Sequence, residues 1–151
     1  MSVELLGKLS ERFPVEDVKQ RRQGGVMLDY ISIDATIRRF NDVLGTEWST
    51  RLLDPVRVDS VGDGKYLAVV VLELTALGKS AIGTGADTAA DADKAIKTAL
   101  AEAIKKAGHQ YGVGLYLWEE SERDLVSKQR KATITKAGSD DVTSALGSGS
   151  F

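Results

Sequence analysis

The chain contains no cysteine and one histidine in 151 residues. The first absence excludes disulfides, thiol nucleophiles and cysteine-ligated zinc. The second leaves little from which to build a nucleophilic or transition-metal centre. Only Pro14 and Pro55 interrupt the backbone, and no apolar run approaches the roughly 18 residues of a membrane span. The opening Met-Ser-Val-Glu-Leu-Leu-Gly-Lys has no cationic stretch followed by an apolar one, so no signal peptide and a cytoplasmic setting are expected. Its 22 acidic residues are scattered. They leave a carboxylate-only magnesium site open but single none out, so neither metal nor cofactor is expected, and no enzyme.

What is present is ordinary for a soluble domain: 42% hydrophobic and 28% charged residues, enough chain for one core. A formal net charge of −2 argues mildly against nucleic acid as a partner. Local clustering of cations decides that question better than the sum does.

Such a cluster lies in Asp91–Trp118, DADKAIKTALAEAIKKAGHQYGVGLYLW. Drawn at about 100° per residue, Asp91–Ala107 places Ile96, Ala99, Leu100, Ala103, Ile104 and Ala107 on one side. Lys94, Lys97, Lys105 and His109 gather on the opposite arc, with Lys106 at its edge. Tyr111, Tyr116 and Trp118 follow in a glycine-punctuated run, as core residues or as stacking surfaces for bases. The lysines read either as a solvated helix face or as a phosphate-binding row. A lone histidine with no nearby nucleophile makes a poor general base.

Elsewhere, Ser2–Arg12 reads as a short amphipathic helix stopped near Pro14. Lys19–Gly25 is a basic cluster, with Arg21 and Arg22, running into two glycines like a surface turn. Val26–Ile31 reads as a strand. Ser32 caps a helix over Ile33–Leu44 with a stripe of Ile33, Ile37, Phe40 and Leu44, and Gly45 ends it. Three β segments follow: Glu47–Val61, interrupted at Pro55 by a bulge or an edge; Tyr66–Leu77; and a short Ser80–Thr84. Tyr66–Leu72 is apolar on both faces, so a helix layer is expected on one and a neighbouring subunit is a candidate cover for the other. The main helix is expected to begin near Thr88. Gly83-Thr84-Gly85 would then be a strand-to-helix turn, since it lacks the spacing and the parallel context of a nucleotide loop. The fold class is α+β, a β-β-β-α core with an antiparallel sheet on a long helix.

In order, Tyr30-Ile31, Phe40-Asn41-Asp42-Val43-Leu44-Gly45, Trp48, the strand Tyr66–Leu74, Gly83-x-Gly85 and Lys94-Ala95 through Lys105-Lys106-Ala107 to Tyr111-Gly112-x-Gly114-Leu115-Tyr116 form a recognisable pattern. It resembles the Rad-fifty-two family of single-strand annealing recombination proteins, including small phage-type members, over Leu5 to Trp118. The resemblance implies a homo-oligomeric ring or filament whose positive groove binds the backbone of single-stranded DNA with the bases turned outward. It also implies ATP-independent annealing in recombination and repair. It puts Lys105 and Lys106 in that groove, with Arg21 or Arg22 before the first strand. His109 stands where eukaryotic members carry a further basic residue. The acidic stretch Asp87–Asp93, where relatives carry a lysine, puts a second, outer DNA surface in doubt.

The expected DNA-binding set is Arg21, Arg22, Lys94, Lys97, Lys105, Lys106 and His109. Domain boundaries are expected at 1–118 for the annealing core, 119–136 for a charged helical extension and 137–151 for a flexible tail. A host or phage single-strand-binding protein or an exonuclease is a candidate partner, in a bacterial host if the chain is phage-encoded. Protection of DNA ends without annealing, or an oligomeric scaffold for an acidic protein, are the alternative functions.

Overall fold

In a computed structural model the described residues are 2–121, 123, 127 and 129–135. The tail expected over 137–151, and part of the charged extension, lie outside them. Helix α1 (Ser2–Leu9) and a single 3-10 turn (Val15–Asp17) lead into strands β1 (Val18–Gln23) and β2 (Val26–Ile31). Helix α2 (Ile33–Leu44) follows, then strands β3 (Trp48–Leu52), β4 (Arg57–Gly62), β5 (Lys65–Ala76) and β6 (Lys79–Ala89), and helix α3 (Ala92–His109). Helical backbone resumes at 115–121. The fold is α+β with antiparallel sheets, as expected.

The main sheet is built on β5. Strand β6 pairs along its whole length on one edge, while β3 and β4 share the other edge, opposite residues 72–76 and 65–69. The expected Glu47–Val61 strand is therefore two strands in line, broken around Pro55. The Leu53 N–H still donates to the Val71 carbonyl at 3.0 Å, so pairing carries on one residue past β3 before the chain bulges.

Alternation along β5 buries Ala68, Val70, Leu72, Leu74 and Ala76 on the helix side. Leu67, Val69 and Val71 on the opposite face are only half-buried, and Ile82 beside them is exposed. Helix α3 crosses the inward face on Ala95, Ala99, Ala103 and Ala107, every one of them buried. The sheet answers with glycine: a Cβ at Gly83 would lie 1.9 Å from the Ala103 carbonyl oxygen, and one at Gly85 1.9 Å from that of Ala99. These two glycines exist for backbone-on-backbone contact. They sit inside β6, so the expectation of a turn there is corrected. The third strand runs to Ala89 rather than Thr84, and α3 starts at Ala92 rather than near Thr88, with the Asp91 carboxylate accepting from the Asp93 N–H at 2.9 Å. Leu100, expected on the buried side, is 37% exposed, because the contact stripe is one alanine wide.

Helix α2 is capped as its sequence requires: the Ser32 hydroxyl accepts from the Ala35 N–H at 3.2 Å, and Gly45 closes the other end at φ 58°. Its buried line is Ala35, Thr36, Phe40 and Leu44, rotated from the expected stripe so that Ile33 and Ile37 are half-buried. The Asn-Asp-Val-Leu-Gly-x-x-Trp segment has a packing explanation. Trp48 stacks on Phe40 at 4.8 Å and donates its indole N–H to the Asn41 side chain at 2.8 Å. Arg39 holds α1 in place by donating to the carbonyls of Leu9 and Glu11 at 3.0 and 2.7 Å, which satisfies acceptors that the end of a helix leaves open.

Candidate nucleic-acid interface

The basic cluster expected as a turn is strand β1, and Gly24-Gly25 join it to β2 in a two-residue hairpin with both φ values positive. That turn fixes the register, with Arg21 opposite Leu28 and Lys19 opposite Tyr30. Residues 19, 21 and 23 then share a face with 26, 28 and 30, while Arg22 points to the other face with Met27. Tyr30 is diagonal to Arg21, within reach of a long side chain.

The face that carries Tyr30 meets α3. The Arg21 guanidinium and the Lys105 ammonium each lie 5.6 Å from the Tyr30 ring centroid. Two cations remote in sequence thus converge on one aromatic ring. Burial pushes the Lys105 pKa down, the positive charge of Arg21 pushes it further, and Glu102 opposes the shift. Of the two readings of the α3 cations, a freely solvated face does not describe this end of the helix, because Lys105 and His109 are half-buried, Lys105 against Tyr30 and His109 against Trp118. Neither Arg21 nor Lys105 forms an ion pair among the described residues.

Its neighbours differ. Lys106 is held by Glu102 at 2.9 Å, and the same carboxylate accepts from the Ala86 N–H on the edge of β6 at 3.3 Å. Lys97 is paired with Asp93 at 2.9 Å, a turn away on an exposed surface. Lys94 is exposed. At a rise of about 1.5 Å per residue, Lys94 and Lys97 stand roughly 12–16 Å along the helix axis from Lys105. The structure therefore joins Arg21, Lys105, Lys106 and His109 around one spot and leaves Arg22, Lys94 and Lys97 apart from it.

His109 lies one turn beyond Lys105 and stacks on Trp118, with ring centroids 5.5 Å apart and planes at 29°. Burial, then the charges of Lys105 and Lys106, depress its pKa to about 4. Near neutral pH it is an uncharged ring. Tyr111 belongs to the core: it is 2% exposed, and its hydroxyl donates to the carbonyls of Leu74 and Lys79. The Tyr116 hydroxyl accepts from the Phe13 N–H at 3.0 Å. Trp118 alone of the three aromatics is substantially exposed.

Tyr30 is the residue that reading by residue type overlooked. The Gly-Gly turn carried the signal, because a two-residue hairpin predicts the diagonal that brings Arg21 to Tyr30. No cluster of His, Asp or Glu that could hold a metal occurs among the described residues, and none of their helices is long and apolar enough to cross a membrane.

Residues 2–136 match the family model described as Rad52/22 family double-strand break repair protein. No curated protein matches the chain.

Proposed function

We propose that this chain, which belongs to the Rad52/22 family of double-strand break repair proteins, binds single-stranded DNA and anneals complementary strands without nucleotide hydrolysis. The observation that carries the reading is the pair Arg21 and Lys105 on Tyr30, two converging cations with no carboxylate of their own among the described residues. A phosphate is the chemistry that satisfies them: it neutralises both, relieves their mutual repulsion and demands no base sequence. Lys106 lies at the rim with its charge offset by Glu102 at 2.9 Å. His109 contributes shape rather than charge at neutral pH.

One chain offers few such cations, so useful affinity requires a homo-oligomer that lines them along one strand. The half-buried outer face of β5 supports assembly, since Leu67, Val69 and Val71 lack the full cover given to the inward residues. Annealing needs phosphate neutralisation and exposed bases, and no nucleophile or metal. It is a binding activity rather than an enzymatic one.

The test is strand pairing. The wild-type chain accelerates annealing of complementary oligonucleotides at low salt, and Lys105→Ala combined with Lys106→Ala removes that acceleration. A double variant that anneals as fast as wild type refutes the site. Tight binding with no acceleration makes the chain a strand protector, and assembly with no affinity for single strands makes it a scaffold.

A further inference from the structure

Trp118 has no role in the core, and its surroundings give it another. It sits on the helical segment 115–121 with 49% of its surface exposed, an unusual place for the largest apolar side chain. Its other side is fixed by the stacked His109 ring at 5.5 Å and 29°, so the free indole face is held in one orientation. His109 and Lys105 are four residues apart on α3, about 6 Å along the axis. Arg21, Tyr30, Lys105, His109 and Trp118 therefore form a continuous row in which cations come first and an uncharged aromatic surface comes last. Glu120, two residues further along the chain, is turned to Arg12 at 3.7 Å.

We propose that the exposed face of Trp118 is a stacking platform for a nucleobase of the bound strand, next to the phosphate held by Arg21 and Lys105. The inference rests on the reading of those two cations as a phosphate site. Stacking suits the position for a physical reason. Every base has a π-face, so the contact adds affinity without sequence preference, as annealing demands. A neutral His109 beneath the indole keeps the platform apolar and confines the positive charge to the Lys105 side. A platform of this kind holds one base per subunit at a fixed place along the groove and so sets the phase between strand and assembly.

The experiment compares two strands with equal numbers of phosphates, an oligo(dT) and an abasic phosphodiester of the same length, binding to the full chain. Trp118→Ala is expected to weaken oligo(dT) binding by about five-fold or more and to leave binding of the abasic strand unchanged. Trp118→Phe recovers most of the loss. Oligo(dT), but not the abasic strand, quenches the Trp118 emission of the wild-type chain. Trp48, stacked on Phe40, reports whether each variant is folded. Equal losses on both strands, no loss on either, or a changed assembly mass in Trp118→Ala overturns the platform; the last identifies Trp118 as a subunit contact. If the wild-type chain binds neither strand, the phosphate reading fails and takes the platform with it. If it binds both and Trp118 is indifferent, only the platform fails.

Discussion

Replacing Gly85 by alanine tests the packing on which the whole interface stands. The added Cβ would meet the Ala99 carbonyl oxygen at 1.9 Å and the Ala103 nitrogen at 2.9 Å, both backbone atoms of α3. Ordinary contact is about 3.5 Å, so helix and strand must separate by about 1.5 Å there. No flexible side chain is available to yield. Overpacking costs about 1–3 kcal/mol where side chains can adjust, and a clash between two backbones belongs at or above the top of that range. With a urea slope of about 2 kcal/mol/M, a loss of about 3 kcal/mol moves the midpoint down by about 1.5 M. Gly7→Ala is the matched control. It lies in α1 with nothing within 4 Å of its added Cβ, and a helical glycine replaced by alanine gains about 0.5–1 kcal/mol. Denaturation must be compared at equal protein concentration, because any self-association would add to apparent stability. Opposite shifts are expected. If Gly85→Ala unfolds at the same urea concentration as wild type, the close approach of α3 to β6 is wrong.

Two further outcomes follow from the charges. Lys105→Ala should lower the salt slope of single-strand binding by about 0.7 for each contacting subunit, whereas Lys97→Ala, whose ammonium is already held by Asp93, leaves it unchanged; equal effects refute the assignment. His109 has a folded pKa of about 4, below its ordinary 6.5, so the unfolded chain binds more protons between those values and stability falls as pH drops through that window. After discounting for its partial exposure, the loss relative to His109→Gln is about 1–2 kcal/mol at pH 4.5, read as a difference in urea midpoints that vanishes at pH 7.5; a difference independent of pH refutes the buried neutral imidazole.

Local signals were the legible ones. Ser32 and Gly45 each act within a few residues, and the helix they bound, Ile33–Leu44, matches the expectation. Errors arose where a residue serves a partner remote in the chain. Gly83 and Gly85 look like turn residues until α3 is laid across them, and the length of β6 was lost with that reading. Leu100 has the right periodicity for the core, but a helix lying directly on glycine backbone admits only an alanine-wide stripe. Lys105 and His109 stood correctly opposite that stripe. What a helical projection cannot contain is a second cover, here the β1–β2 hairpin and the segment after α3, which turns a solvent arc into a half-buried site.

The net charge of −2 illustrates why a sum misleads. Lys8, Arg12, Arg51, Arg57, Lys97 and Lys106 each lie against an acid of the same fold. Exposed pairs of this kind contribute little stability, yet they cancel charge at their own positions, and so they take six of the 20 lysines and arginines out of competition for an external anion. Arg21 and Lys105 are left facing an aromatic ring and each other. A cation–π contact holds a cation without neutralising it. The fold thus keeps two like charges close; burial first, and the Arg21 charge second, lower the Lys105 pKa, and a bound anion would offset both. An acidic chain is no obstacle to such a site, because local clustering and not the sum decides the field there.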